Sequence, residues 1–383
     1  MIGNPLDIEN IDRPLLDAFP GLKKLPWMPL MDGIPTPVEK LENISKNFPG
    51  YHVWIKRDDL TSTIYGGNKP RKFEFLFANA LKKKKKEIIT AGGIGTNHGL
   101  ASTLFCDRLG LKSKLYLFDQ PLTSDVQKKL LIYLNFDVKL HLIFSYFMLV
   151  IYGMGEAIAH PKSYLMLPGG SSLFGLGTGL GGLGFVNAGF ELKEQVDKSL
   201  IPEPDYIFIA SASTGSAAGL ILGCKMAGLK TKVVSVQVSE PILTNPSAIL
   251  SNIKKINKVI KKVDPKIENV KITYPEDFLF VKGFLGEKYG CVTEHGLKAI
   301  EMVKSKEGDK GFKLDTSYTG KAFAAMLDFM EKNPESNDKN VLFWNTYNSR
   351  DLTELVEKSN NEFEKLPKSF HKYFKEFPFS QEL

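Results

Sequence analysis

Short apolar runs alternate with stretches of helical periodicity along most of the chain. The runs HVWIKR (52–57), EIITAGG (87–93), KLYLFD (114–119), DVKLHLIF (137–144), SYLMLPGG (163–170), VVSVQVS (233–239) and VLFWNTY (341–347) read as strands. Helices are predicted over 100–109 and near 126–134. The clearest unit is DYIFIASASTGSAAGLILGCKMAG (205–228): an apolar strand, a Ser/Gly loop, then a helix ending at Gly228. YIFIA is apolar without alternation, as a strand covered on both faces requires. Strands alternating with helices predict parallel α/β layers.

Two stretches stand apart. Residues 140–152 (LHLIFSYFMLVIY) are apolar but too short for the roughly 20 residues that span a bilayer, so they read as a buried strand entering a buried helix. Residues 251–271 are Lys-rich and read as an exposed helix or loop, and the tail after Phe363 yields no assignment. No 20–50-residue repeat is visible.

The chain has 383 residues, 43% hydrophobic and 24% charged, which suits one large or two closely joined globular domains. The net charge of +7 lies largely in Lys runs such as 82–86, without the interleaved Arg and aromatic residues of a nucleic-acid surface. No nucleic-acid or membrane partner is therefore expected. Cys106, Cys224 and Cys291 form no C-x-x-C pair, so neither a disulfide framework nor a metal site is suggested, and a reducing cytoplasm is the expected setting. The opening MIGNPLDIENIDRP lacks the basic start and apolar core of a signal peptide.

Ligands of parallel α/β sheets bind beyond the carboxyl ends of the strands, and four segments there are unusual. In GGNKPRK (66–72), two glycines permit close approach of the backbone, and Pro70 is expected to keep Lys69 extended or turning. A partly desolvated Lys69 would have a lowered pKa and an amine available for Schiff-base chemistry, although the segment alone reads more simply as a surface turn. GGIGTNHG (92–99) sets Thr96, Asn97 and His98 in a strand-to-helix turn, suited equally to an anion or to helix capping. SASTGSAAG (211–219) places small residues before a helix, a cradle for a phosphate monoester rather than a triphosphate or dinucleotide loop. In LDTSYTGKAF (314–323), Tyr318 is a candidate acid/base group if its pKa is lowered. The alternative there is Thr319 as N-cap of a helix starting near Lys321, with Tyr318 as a packed aromatic.

Together GGNKPRK, GGIGTNH, LPGGSS (167–172), STGSAAG and YTGKA resemble the 1-aminocyclopropane-1-carboxylate (ACC) deaminase and D-cysteine desulfhydrase family of pyridoxal-phosphate enzymes, from about Thr36 to Trp344. The resemblance implies the tryptophan synthase β-like (fold type II) architecture: two open parallel-sheet α/β domains, 1–71 with 169–383 and a smaller inserted 72–168, with the cofactor in the cleft between them. It implies pyridoxal 5'-phosphate as cofactor, a small amino acid as substrate, and a homodimer. Lys69 would carry the Schiff base and shuttle the α-proton. Ser213, Thr214, Gly215, Ser216 and Ala217 would hold the phosphate, with Lys72 as an extra contact. Asn97 would bond the phenolic oxygen, and Thr96, Asn97 and His98 would receive the substrate carboxylate. Tyr318 would lie over the reacting carbon, with Tyr289 as a second tyrosine.

Thr319 separates the activities within this resemblance. The ring-opening deaminases carry Glu after the matching tyrosine, beside the pyridine nitrogen, whereas the desulfhydrases carry Thr. A neutral hydroxyl leaves the ring a weaker electron sink, adequate for β-elimination of thiolate but less suited to ring opening. D-cysteine desulfhydrase-like β-elimination is therefore expected, giving pyruvate, ammonia and hydrogen sulfide. ACC deamination and a cofactor-binding protein without turnover are the alternatives. NTYNSR (345–350) replaces the family's glycine-containing run, GSSLFGLGTGLGGLGF (170–185) is longer than usual, and 140–152 is more apolar.

Overall fold

The computed structural model describes residues 13–144, 146–171, 176–334 and 338–375, which excludes most of the N-terminal segment assessed for a signal and part of 170–185. Ten strands are described: β1 Val38–Lys40, β2 Tyr51–Lys56, β3 Glu87–Gly93, β4 Lys112–Phe118, β5 Val138–Ile143, β6 Ser163–Leu165, β7 Tyr206–Ser211, β8 Lys232–Gln237, β9 Phe278–Val281 and β10 Lys339–Trp344. The chain divides into two compact units, Met1–Ala78 with Gly169–Ser349, and Asn79–Pro168 with Arg350–Leu383.

The first unit holds a six-stranded sheet in the order β1-β2-β10-β7-β8-β9. Only the β1–β2 pair is antiparallel. β10 lies between β2 and β7, and its apolar run explains that place: Val341, Leu342, Phe343 and Trp344 are all fully buried. One face packs Phe343 edge-on against Phe323, whose helix, Thr319–Lys332, covers that side. The second unit holds an all-parallel sheet in the order β5-β4-β3-β6. Among the described residues no helix is long and apolar enough to cross a membrane.

Three sequence expectations are corrected. β5 is an edge strand: Leu140 and Ile143 are buried, but Phe144 is 98% exposed and Tyr152 is 46% exposed, so residues 140–152 are not buried throughout. Residues 251–263 belong to the helix Pro246–Val263, which buries Ile249, Ile253, Ile256 and Ile260. Their 4-3-4 spacing was hidden by the lysines between them. The chain after Ser349 groups with the smaller unit rather than the larger, and the inserted segment begins at Asn79 rather than residue 72. Two local bonds fix the tail there: Gln127 Nε2 donates to Tyr373 O (2.8 Å) and Asn135 Nδ2 to Leu355 O (2.6 Å).

The helix Lys69–Lys82 is anchored by a buried ionic network within the first unit. The Arg71 guanidinium forks onto Asp58 (2.8 and 2.6 Å) and onto Glu191 (2.8 and 3.0 Å). Lys56 Nζ donates to Glu191 Oε1 (2.6 Å), and Trp344 Nε1 donates to Asp58 Oδ2 (2.7 Å). Burial alone would raise the pKa of Glu191, but the charges of Arg71 and Lys56 outweigh it and hold the carboxyl below its ordinary range. Such charges are tolerated inside only because every partner is present.

Glu191→Gln is accordingly expected to cost about 3–5 kcal/mol, since it strands two buried cations. Glu191 has a folded pKa below its ordinary 4.5. Its contribution is therefore present above about pH 4.5 and lost as pH falls below that value. Denaturant unfolding of both proteins at pH 7 and pH 4 checks this; an equally steep acid loss in the variant would contradict it.

Candidate active site

Carboxyl ends of β2, β7 and β10 bring the first set of sequence-predicted residues together. The peptide of Gly66–Gly67 runs so close to its neighbours that side chains do not fit. A Cβ on Gly66 would stand 1.8 Å from Asp59 O, and Gly67 adopts φ 88°. Gly67 N donates to Asp58 O (2.7 Å), Asn68 N to Thr346 O (3.2 Å) and Gly66 N to Asn348 Oδ1 (2.7 Å). NTYNSR therefore clamps the glycine pair. Lys69 is the first residue of its helix, not extended as Pro70 suggested. Proline in a first helical turn lacks only an amide hydrogen that would be orphaned there, and no helical carbonyl lies behind it to clash.

Lys69 Nζ donates to Asn68 Oδ1 (2.6 Å), and Asn68 Nδ2 donates to Ser216 Oγ (3.1 Å). Two bonds thus join the amine to the turn after β7. In that turn Thr214 is left-handed (φ 59°) and caps the helix Gly215–Met226 without a side-chain bond. Its Oγ1 instead accepts from Asn252 Nδ2 (2.9 Å). Ser171 Oγ shares a hydrogen bond with Ser213 Oγ (3.0 Å), and a Cβ on Gly215 would stand 2.1 Å from it.

Lys72 completes this cluster. Its Nζ donates to Gly169 O (2.6 Å) and Ser171 Oγ (3.2 Å), and the residue is 1% exposed. Among the described residues no carboxylate pairs with it. Burial pushes its pKa well below the ordinary lysine value, and the charge of Lys69 acts in the same direction. A buried amine facing hydroxyls and a helix N-terminus is a site for a dianion such as a phosphate ester, which would supply the missing counter-charge.

Tyr318 and Tyr289 also meet, their hydroxyls hydrogen-bonded and their rings 5.9 Å apart at 65°. Desolvation pushes the Tyr289 pKa up to about 12, partly opposed by the bond from Tyr318. Desolvation and the neighbouring Tyr289 carry Tyr318 well above its ordinary value. The condition attached to Tyr318 as an acid/base group, a lowered pKa, is thus not met. At neutral pH both are phenols, equipped to donate a proton rather than to remove one. Thr319 is fully buried and opens its helix, while Tyr318 occupies the cap position. Asp315 supplies the capping oxygen that Thr319 was expected to provide: Asp315 Oδ1 accepts from Thr319 N (2.8 Å).

Thr96, Asn97 and His98 belong to the second unit, where β3 ends at Gly93 and the helix Asn97–Arg108 follows. Thr96 Oγ1 accepts from Gly99 N (3.2 Å), the cap anticipated for it. A Cβ on Gly92 would come within 2.4 Å of that oxygen. His98 is buried, with Nε2 2.9 Å from Thr90 Oγ1. Asn97 is partly exposed at the head of the helix.

Sequence reasoning overlooked Asn68, Arg71, Ser171, Asn252 and Asp315. Asn68 and Arg71 stand inside GGNKPRK, and Ser171 inside LPGGSS, so the motifs held the signal. Asp315 likewise stands inside LDTSYTGKAF, four residues before Thr319, whereas Asn252 had no such signal because it acts through a fold contact.

A family model described as pyridoxal-phosphate dependent enzyme matches residues 30–346. A D-cysteine desulfhydrase of Serratia proteamaculans (strain 568) is 30% identical, over 85% of this chain and 95% of its own length. A protein of Pyrococcus abyssi carrying the provisional name 1-aminocyclopropane-1-carboxylate deaminase is also 30% identical, over 83% and 89%. The crystal structure of an ACC deaminase homologue superposes with a TM-score of 0.72 at 28% identity, covering 89% of this chain and 98% of that one.

Inorganic phosphate is expected to raise the unfolding midpoint of the wild-type chain, by about 2.7 kcal/mol of stabilisation at a hundredfold excess over Kd. Lys72→Met is expected to remove that dependence without lowering the stability of the unliganded protein. Equal phosphate responses in thermal melts of the two proteins would place the anion elsewhere.

Proposed function

The chain belongs to the pyridoxal-phosphate dependent enzymes, and we propose that within that family it is a lyase cleaving D-cysteine to pyruvate, ammonia and hydrogen sulfide. The observation that carries this reading is the relay Lys69–Asn68–Ser216, which joins the Lys69 amine to the turn after β7, beside the buried amine of Lys72. These residues fit the cofactor: a dianion would satisfy Lys72 and the helix terminus, and Lys69 lies one side chain away.

When bound, pyridoxal phosphate supplies an aldehyde for the Lys69 amine and a conjugated ring that draws electrons from the substrate Cα. Ser213, Thr214, Gly215, Ser216 and Ala217 would hold its phosphate, with Lys72 as counter-charge. By the family resemblance Asn97 would bond its phenolic oxygen, Thr319 would lie toward its ring nitrogen, and Thr96, Asn97 and His98 would receive the substrate carboxylate. Lys69 Nζ would take the α-proton, oriented by its hydrogen bond to Asn68 Oδ1. Tyr318, with Tyr289 hydrogen-bonded to it, donates toward the departing sulfur. Loss of thiolate and hydrolysis of the resulting imine by water balance the reaction. Thr319 in place of a carboxylate, and the desulfhydrase relative, favour this reaction over ring opening. ACC deamination is the second reading, favoured by the solved homologue. A homodimer in the reducing cytoplasm completes the proposal; Cys106 and Cys224 are buried thiols.

Purified protein is expected to be yellow, and Lys69→Ala to lose the visible band and at least about 10²–10⁴-fold in turnover. Keto acid and sulfide release from both cysteine enantiomers, D-serine and ACC tests the substrate. D-cysteine is expected to exceed ACC in kcat/KM by roughly tenfold or more, about 1.4 kcal/mol. Turnover of ACC with none of D-cysteine would overturn the assignment. A yellow protein that exchanges no substrate α-hydrogen across the panel would mark a binding protein without turnover.

A further inference from the structure

Thr319 faces the cofactor's ring nitrogen in the reading above, and the present inference rests on that reading. A threonine hydroxyl has one proton to give and two lone pairs to offer. In this chain two of these three are committed. Asp315 N donates to Thr319 Oγ1 (2.8 Å), which occupies one lone pair. Thr319 Oγ1 lies 2.6 Å from Asp315 Oδ1, within the range of a charge-assisted O–H···O⁻ bond. A carboxylate ionised at neutral pH only accepts, so the proton in that bond comes from the hydroxyl. The same oxygen also receives the Thr319 amide (2.8 Å), so the pair is locked in both directions, and Thr319 is fully buried.

What Thr319 has left is one lone pair, an acceptor and not a donor. We infer that Asp315 is a positioning residue which holds the Thr319 hydroxyl as an acceptor toward the ring nitrogen, so that this nitrogen is protonated in the loaded enzyme. An unprotonated ring nitrogen would meet a lone pair instead of a hydrogen. The negative charge that the deaminases place directly beside the ring is present here, set back behind one hydroxyl. The titratable groups facing Asp315 are Lys321, whose Nζ donates to Leu285 O (2.6 Å), and the hydrogen-bonded phenols of Tyr289 and Tyr318. The sequence reading of Thr319 as a purely neutral partner is thereby narrowed: preference for a thiolate leaving group then reflects a weaker electrostatic pull on the ring, not its absence.

The test is nitrogen NMR of the full-length protein loaded with pyridoxal phosphate labelled at the ring nitrogen. The wild type is expected to show the protonated resonance at neutral pH. Asp315→Asn keeps an oxygen for the Thr319 amide, and so keeps the helix cap, but removes the charge. It is expected to lower the ring-nitrogen protonation equilibrium by about tenfold or more, one pKa unit. Thr319→Val is expected to move the resonance the same way. A wild-type resonance at the unprotonated position overturns the inference, as does a protonated resonance unchanged in both variants. Absence of any visible band on cofactor addition, by contrast, overturns the parent reading of Lys69 and the inference with it.

Discussion

A lysine amine buried, among the described residues, without a carboxylate partner is the constraint around which the larger unit is arranged. Lys72 is held by a backbone carbonyl and a serine hydroxyl, and the second lysine of the same helical turn pushes against its charge. Neutral partners do not repay the desolvation of a cation, so a protonated Lys72 lacks a counter-charge among the described residues. The incompleteness is local and directional. It favours an anion, and in the proposed reading the helix terminus at 215–217, with the hydroxyls of Ser171, Ser213 and Ser216, would hold it.

The rest of the unit keeps this arrangement from relaxing. Arg71, one residue before Lys72, is pinned by Asp58 and Glu191, so the first turn of the helix cannot rotate to release its lysines into solvent. Gly66 and Gly67 let the preceding strand-end pack directly on the loop after β10, which fixes where Lys69 enters. Gly215 lies against Ser171 in the same manner. Fully paired charges in one layer thus support an unpaired charge in the next. The tyrosine pair and the Asp315–Thr319 pair follow the same logic, each joining two side chains by a hydrogen bond.

Much of the fold was legible because its strands are short apolar runs closed by glycine or serine. EIITAGG is β3 to the residue, and DYIFIA and VLFW lie where their unbroken apolar character placed them, on strands covered on both faces. Amphipathic structure under a lysine-rich surface was less legible. In Pro246–Val263 four isoleucines carry the buried face while lysines dominate the composition. The edge position of β5 was also hidden, because Phe144 is as apolar as a core residue and only the sheet order exposes it. In the site, the 213–217 turn stood out by its small residues before a helix, whereas Lys69 and Lys72 came forward only through the family resemblance. Asn252 was not legible, because a hydrogen bond across 38 residues leaves no local pattern, while Asp315, four residues before Thr319 in the same quoted segment, was overlooked. The direction of the tyrosine pKa shifts was not legible either, because desolvation belongs to the packed state.

The central claim is that one amine, Lys69 Nζ, is the covalent anchor, while the equally motif-borne Lys72 serves only as counter-charge. Borohydride reduction of the cofactor-loaded protein, followed by peptide mass spectrometry, distinguishes the two directly. A single phosphopyridoxyl mass increment on Lys69, with Lys72 unmodified, is the expected result. The increment on Lys72, or on a lysine outside this helical turn, would contradict the account.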